Sequence, residues 1–292
     1  MLKKFMVLVI CFTLFIVSGC TSNNETKPID QQQAKSDSVM ENFHSMLQKD
    51  SSVADVAQFI SDNISLVTKE NASEMVIKFE ELQLKKLPQY ETMFTEGDNQ
   101  SKFANEYEAV MNGAVKDPGL KELVQKTNNS GYKVETAEGT FFPILNYQFY
   151  KKYSDYVTPD LKNYIEIMAV ESNQVPAKDA ALVISWDEVV KRALEQEKFI
   201  HTYKDSVKLN DVKQLYEKYL LFTLYGLNNT PLFSYDSNTL NPKAQEAYTK
   251  AIKNSGTSDF LKILEEYLNI ISKNNNKLTD EVEKYREASV KI

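Results

Sequence analysis

The sequence predicts an all-α protein, built as a multi-helix bundle or as an array of helical hairpins. Apolar residues recur at the spacing of one helix face along most of the chain. The 292 residues include only eight glycines and eight prolines, and most of these stand at the edges of the periodic segments. Strand patterns do not alternate with helical ones, so a parallel α/β fold is not expected.

The first 20 residues have the pattern of a targeting signal. Lys3 and Lys4 precede a predominantly apolar stretch over residues 5–17, and Ser18-Gly19-Cys20 follows it. A membrane-spanning helix needs about 20 apolar residues, and this stretch is shorter. Its length and its basic start are typical of a signal peptide.

The small pair before Cys20 resembles the lipobox of bacterial lipoproteins. This resemblance implies that residues 1–19 are removed and that the Cys20 thiol receives a diacylglyceryl group. The protein is then expected to be lipid-anchored on the extracytoplasmic face of the cell membrane. Two acyl chains attach a protein to a bilayer stably, whereas a single chain gives only marginal, reversible binding. The alternative is an ordinary secretory signal that leaves Cys20 as a free thiol.

Cysteine usage and net charge further narrow the class of protein. Cys11 lies inside the signal, so no disulfide is expected and core burial must stabilise the mature chain. The chain has 34 basic and 41 acidic residues, a formal charge of −7, and loss of Lys3 and Lys4 brings it to −9. Such a surface repels phosphate backbones, so nucleic acid is not an expected partner. The Lys-, Asn- and Glu-rich, glycine-poor composition resembles that of Gram-positive surface proteins.

The N-terminal half is expected to be a spacer followed by helices. Residues 20–36 are polar and predict a flexible spacer. An apolar stripe over residues 53–64 predicts a helix after Ser52. Residues 71–74 match a capping box, which predicts a helix running from there towards Pro88. Shorter helices are expected over 100–113 and 118–127.

A turn cluster interrupts the helical pattern near residue 130. Residues 128–131 are Asn-Asn-Ser-Gly, and the segments on either side of Glu138-Gly139 predict a small β-hairpin over residues 132–142. The chain is therefore divided into an N-terminal helical part, residues 37–130, and a C-terminal helical part, residues 131–292. Whether the two parts share one core is left open.

The second half has the clearest helix signals. Thr158-Pro159 and the capping box at Ser185 each predict a helix start. The helix over residues 212–225 is apolar nearly all round, which predicts a central position. Further starts are expected at Asn241-Pro242, ahead of the stripe that begins at Phe260, and at Thr279.

Signatures of catalysis and of metal binding are missing from the sequence. It has no GxSxG, no P-loop and no HExxH motif. Glu197 and His201 stand four residues apart on one helix face, but a zinc site needs at least a third ligand, so a hydrogen-bonded pair is expected. Asp236 begins a calcium-like loop that lacks its later ligands. We therefore predict no catalytic residue, no metal and no cofactor.

An aromatic-rich stretch is the most suggestive feature of the mature chain. Tyrosine suits interfaces because it combines a large apolar face with a polar tip. The alternative is a tyrosine-rich core, since aromatic residues make up 11% of the chain. The candidate interaction surface consists of Phe141, Phe142, Tyr147, Tyr150, Tyr153 and Tyr156.

Residues 198–206 and the helix after them are similar to the helix-turn-helix linker of tetratricopeptide-like repeat proteins, which bind peptides and partner proteins. This resemblance favours an extracytoplasmic, helical protein- or peptide-interaction module that binds another envelope protein or a peptide. The alternative is a lipoprotein that captures a small molecule, a peptide or a wall fragment. An envelope hydrolase is the least favoured class, because nucleophile and metal signatures are missing.

Overall fold

A computed structural model describes residues 28–253 and 258–290 of the chain. The predicted signal peptide and the predicted lipidation site, Cys20, lie outside these residues. The described part is helical, which confirms the all-α prediction. Its helices are α1 (Pro28–Gln48), α2 (Val53–Asn63), α3 (Lys69–Thr95), α4 (Asn99–Asn105), α5 (Tyr107–Met111), α6 (Pro118–Asn129), α7 (Tyr147–Tyr150), α8 (Pro159–Asn173), α9 (Trp186–Thr202), α10 (Leu209–Tyr225), α11 (Pro242–Ile252), α12 (Asp259–Lys273) and α13 (Asp280–Ser289).

Strands form three antiparallel pairs within the described residues. They are β1 (Tyr132–Ala137) with β2 (Thr140–Leu145), β3 (Ala177–Lys178) with β4 (Ala181–Leu182), and β5 (Gly226–Leu227) with β6 (Thr230–Pro231). The first pair is the predicted hairpin. Glu138 and Gly139 both have positive φ at its turn, as a two-residue hairpin turn requires.

Side-chain caps start most of the predicted helices. The side chains of Ser52, Ser185, Asn241 and Thr279 each accept a hydrogen bond from a backbone N–H in the first turn of the helix that follows. Each cap satisfies a donor that has no partner within the helix. These four helix starts are confirmed.

Helix α3 differs from its prediction at both ends. Thr68 caps it, and Asn71 lies inside the first turn, where its side chain donates instead to Ser36 Oγ at 3.1 Å. The helix also continues through Pro88 to Thr95. Pro88 and Leu84, four residues before it, are both exposed, so water can replace the hydrogen bond that proline cannot donate.

The expected spacer ends earlier than residue 36. Helix α1 begins at Pro28, and Ser36 is buried against α3 through its bond with Asn71. Val39, Met40 and Phe43 then pack into the core. Contacts with α2 and α3 hold the later turns of α1 in place. The polar first turns continue the same helix, which the polar composition of this segment does not predict.

The apolar core has three clusters, and residue 130 does not separate them. The first joins α1, α2 and α3 with Tyr132, Leu145, α7 and α8, so it includes residues from both predicted parts. The second lies among α9–α13, and the third packs α4–α6 on the outer half of the β1–β2 hairpin. Phe199 and Val212 belong to the first cluster, so α9 and α10 bind the two halves together.

Helix α10 is buried mainly along its second half, and six of its 17 residues are buried. Tyr219, Leu220 and Leu224 are buried, whereas Leu221 is 45% exposed. The prediction that this helix is central is therefore only partly correct, because α9 covers one side of it and another side faces solvent.

A buried ion pair lies where the first cluster meets the start of α10. Lys208 Nζ lies 2.6 Å from Glu80 Oε2. The hydroxyls of Tyr147 and Tyr164 both donate to Glu80 Oε1. Burial acts to lower the pKa of Lys208, but Glu80 and Asp211 hold it above its ordinary value of 10.5. Lys208 is therefore charged at neutral pH, and the stability that its raised pKa contributes is lost as the pH rises through that pKa.

A second polar network surrounds Gly131, next to the first. Gln83 is fully buried, donates from Nε2 to Ser130 O at 2.6 Å, and accepts from the Tyr150 hydroxyl. Tyr132 donates to the Gln83 carbonyl at 2.6 Å. Gly131 has φ +73°, and a Cβ there would lie 2.6 Å from Gln83 Nε2. Only glycine allows both the left-handed turn and this close approach.

Replacing Gly131 with alanine is expected to lower the free energy of unfolding by about 2 kcal/mol or more. The left-handed backbone costs an L-residue roughly 1–2 kcal/mol, and the displaced Gln83 loses a hydrogen bond worth about 1 kcal/mol. Gly139→Ala is the matched control, since its φ is +74° but nothing lies within 4 Å of the new Cβ. Urea unfolding measures both, and equal losses would contradict the role of Gln83.

Lys208→Met is expected to lower the free energy of unfolding by about 3 kcal/mol, because it leaves the buried Glu80 without its cation. Lys162→Met removes an exposed partner of Asp155 and should barely move the unfolding midpoint. Denaturant titration of the two variants at neutral pH checks this. Similar midpoints for both would show that Glu80 does not depend on Lys208.

Candidate functional site

The predicted aromatic surface lies mostly inside the protein. Phe141, Tyr147, Tyr150 and Tyr153 are buried, and Phe142 is half-buried. Tyr156 is 41% exposed. The interpretation as an interaction surface is therefore wrong for the buried four, and the alternative of a tyrosine-rich core holds for them. The residue spacing alone could not distinguish an interaction surface from a tyrosine-rich core, because a buried aromatic stripe and an exposed one have the same sequence pattern.

An open groove lies between α9, α10 and α12, with a volume of about 570 Å³. We call it the α9–α12 groove. Its lining is apolar at the centre and charged at the edges. The apolar residues are Ile200, Tyr216, Leu220, Leu221 and Ile263. Leu221 is the exposed leucine of α10, so the groove explains why this helix has an apolar residue facing solvent.

The rim of this groove is mainly acidic. Glu217 and Asp259 are exposed there together with one cation, Lys213, and one histidine, His201, whereas Glu197 lines the groove but is buried. Burial raises the pKa of Tyr216 well above its ordinary value, and the nearby charges of Glu197 and Asp259 raise it further. The Tyr216 phenol therefore stays neutral at neutral pH.

The expected hydrogen bond between Glu197 and His201 is not formed. Glu197 Oε1 instead accepts from the backbone N–H of Phe260 at 2.7 Å, in the first turn of α12. His201 Nε2 lies 3.9 Å from Asp259 Oδ2. Asp259 thus supplies the third potential metal ligand, which the spacing of Glu197 and His201 did not reveal. One ligand atom of each of the three side chains lies within 4.8 Å of the other two. They are the residues that could hold a metal ion, although Glu197 and Asp259 already bond Phe260 and Lys262.

A smaller cleft, of about 200 Å³, lies between α8 and α9. We call it the α8–α9 cleft. Arg192 is buried beside it, and its guanidinium donates from Nε to Glu188 Oε1 at 2.9 Å and from Nη1 to the Gln174 carbonyl at 2.9 Å. Nη1 also lies 3.3 Å from Glu171 Oε1 and 3.1 Å from the Tyr219 hydroxyl. This network holds α8, α9 and α10 together.

Charge in this network is balanced within the cleft wall. Burial raises the pKa of Glu171, while hydrogen bonds from Tyr219 and Arg192 act against that rise. Burial acts to lower the pKa of Arg192, but its interactions with Glu188, Tyr219 and Glu171 together hold that pKa above its ordinary value. The guanidinium is therefore fully charged and fully engaged. It serves to position the helices.

A third and wider groove, of about 680 Å³, runs beside the β1–β2 hairpin. Met111 and Val183, both exposed apolar residues, lie on its two sides. An ion pair between Lys178 and Glu135, at 2.6 Å, crosses it. Because the pair spans from β3 to β1, it fixes the position of the hairpin against the second half of the chain.

Sequence reasoning missed Arg192 and Gln196 altogether. Both lie on α9 among charged and polar residues. A polar residue one position outside the apolar stripe carries no signal of its own, since only the neighbouring helix decides whether it is buried.

None of the helices in the described ranges combines the length and apolar character that a membrane crossing requires. Comparisons of the chain with protein-family models, with curated proteins and with solved structures found no match.

Proposed function

We propose that this chain is a lipoprotein of the bacterial cell envelope, anchored through Cys20, whose helical body binds another envelope protein. The observation that carries the proposal is the α9–α12 groove, with Leu221 exposed at 45% in an apolar floor. Large side chains of this kind are costly to leave in water. The groove is partly open to solvent, which suits a protein segment better than an enclosed metabolite.

The chemistry of the groove favours one kind of occupant. Three helices enclose an apolar floor, which suits the apolar face of an amphipathic helix. Two exposed carboxylates, Glu217 and Asp259, stand against one lysine at the rim. They favour a partner with basic residues beside its apolar anchors, because complementary charge guides and orients association. We therefore propose a basic, amphipathic helix of another envelope protein as the partner.

The proposal requires no catalytic step. Glu80 and Glu171 are the carboxylates most enclosed by polar networks, and both are already engaged by tyrosine, lysine or arginine. Such groups stabilise packing rather than face a substrate. Binding is thus favoured over hydrolysis.

The anchor is tested with Cys20→Ala. Growth with a clickable palmitate analogue should label the wild-type protein, and Cys20→Ala should abolish the label and move the protein from the membrane to the soluble fraction. Loss of two acyl chains is the physical reason. Cys11→Ala is the matched control and should remain labelled, because that cysteine lies within the predicted signal. An unlabelled wild type, or a labelled Cys20→Ala variant, would contradict the anchor.

The groove is tested with Leu221→Glu in intact cells. Crosslinking followed by pull-down should recover a specific protein with the wild type and at least tenfold less of it with Leu221→Glu, since a carboxylate in the floor repels an apolar face. Leu84→Glu is the matched control, because Leu84 is a 54% exposed leucine on another helix. The crosslinked partner segment should be basic, with apolar residues at helical spacing.

Equal recovery with Leu221→Glu would show that the partner binds elsewhere. Copurification of a small metabolite without any specific protein would favour the ligand-capture alternative instead.

A further inference from the structure

Glu197 is a buried carboxylate that forms no ion pair with a described residue. It is 7% exposed and lines the α9–α12 groove. Its Oε1 accepts from the backbone N–H of Phe260 at 2.7 Å, and no described residue donates to its Oε2. Buried charges in proteins are paired with an opposite charge or bind a metal ion, because the hydration that they lose must be replaced. Glu197 therefore indicates a positively charged ligand.

Two further groups that bind metals lie beside Glu197. One ligand atom of each of Glu197, His201 and Asp259 lies within 4.8 Å of the other two, and His201 Nε2 lies 3.9 Å from Asp259 Oδ2. Two ligands of a tetrahedral zinc ion are about 3.4 Å apart, since Zn–N and Zn–O bonds are about 2.1 Å long. The His201 and Asp259 side chains are 57% and 61% exposed, so short movements of these two can bring the ligands to that spacing.

The hydrogen bonds that the two carboxylates already accept leave one oxygen of each for a metal. Asp259 Oδ1 accepts from Lys262 Nζ at 2.8 Å, whereas Oδ2 is the oxygen that approaches His201. Both partners of this ion pair are exposed, so the pair is weak and Lys262 can turn away. In Glu197, Oε1 is occupied by Phe260 and Oε2 remains.

The fold holds the three residues together without a metal. Glu197 and His201 stand four residues apart on α9, which places them on one helix face. Asp259 directly precedes Phe260, so the hydrogen bond from Phe260 to Glu197 also keeps Asp259 beside Glu197. Side chains that are placed before a ligand arrives bind it at a lower entropic cost.

We propose that Glu197, His201 and Asp259 bind Zn²⁺ at the edge of the α9–α12 groove. An imidazole nitrogen together with two carboxylate oxygens suits zinc, whereas magnesium prefers oxygen ligands in an octahedral arrangement. Three protein ligands leave the fourth position of the ion to water. This site goes beyond the proposed function, because it requires no partner protein.

The test is a calorimetric titration of zinc chloride into the whole mature protein, purified in detergent and freed of metal with a chelator. The expected result is one saturable site per chain, together with a higher melting temperature in zinc, because an ion that binds only the folded state stabilises it. Magnesium chloride at the same concentrations should produce neither effect. His201→Ala and Asp259→Asn should each weaken zinc binding at least tenfold, since each removes one of three ligands.

Glu197→Gln separates a metal ligand from a purely structural residue. The amide oxygen of glutamine can still accept from the Phe260 N–H, so the start of α12 is preserved. The variant should bind zinc at least tenfold more weakly, and without zinc it should melt no lower than the wild type, because the unpaired buried charge is gone. A purely structural glutamate would give the reverse, a lower melting temperature with unchanged zinc binding.

His44→Ala is the matched control. His44 Nε2 lies 2.8 Å from Glu74 Oε1, but within the described ranges no third ligand completes a group around this pair. Zinc binding should therefore be the same in His44→Ala as in the wild type. Because zinc is titrated into the purified protein alone, a failure of the proposed partner binding leaves this result unchanged.

Three outcomes would overturn the proposal. In the first, the metal-free wild type does not bind zinc. In the second, His201→Ala binds zinc as tightly as the wild type, or His44→Ala weakens binding equally, which would place the ion elsewhere. In the third, magnesium binds as tightly as zinc, which would show an acidic surface that attracts any divalent cation.

Discussion

The buried carboxylate of Glu80 is the constraint on which the rest of the structure depends. A charge removed from water is tolerated only when its partners surround it closely. Here the partners come from α7, α8 and the residue before α10, while Glu80 itself is on α3. Four parts of the chain must therefore adopt one arrangement together. Lys208 directly precedes α10, and α10 packs on α9, so this ion pair also fixes the position of the grooves in the second half.

Hydrogen bonds from buried tyrosine hydroxyls also link separate elements across the core. The described residues contain no cysteine, so no covalent link joins the helices. Instead, buried tyrosines place an apolar ring in the core and donate to a backbone carbonyl of another element. These bonds run from Tyr132 to Gln83, from Tyr153 to Ala57, from Tyr248 to Thr223 and from Tyr267 to Leu224. Each one ties two segments that are far apart in sequence.

Helix α9 lines both the α8–α9 cleft and the α9–α12 groove. One side carries Arg192 and Gln196 towards α8, and another carries Ile200 and His201 towards α10 and α12. A helix with neighbours on both sides is held rigidly, and rigid walls bind a peptide at a lower entropic cost than mobile ones.

The sequence by itself determined the fold class, the β1–β2 hairpin and most helix starts. Those features follow from local rules, namely apolar spacing and side-chain caps such as Ser185 and Asn241, which act within one turn. Only the tertiary structure decided that Tyr147 and Tyr150 are core, that α3 passes through Pro88, and that Asp259 approaches His201. It also decided that Gln196 is buried without a partner. Whether a residue is buried depends on which element packs over it. That element is usually tens of residues away in the sequence, so the local pattern around the residue does not predict its burial.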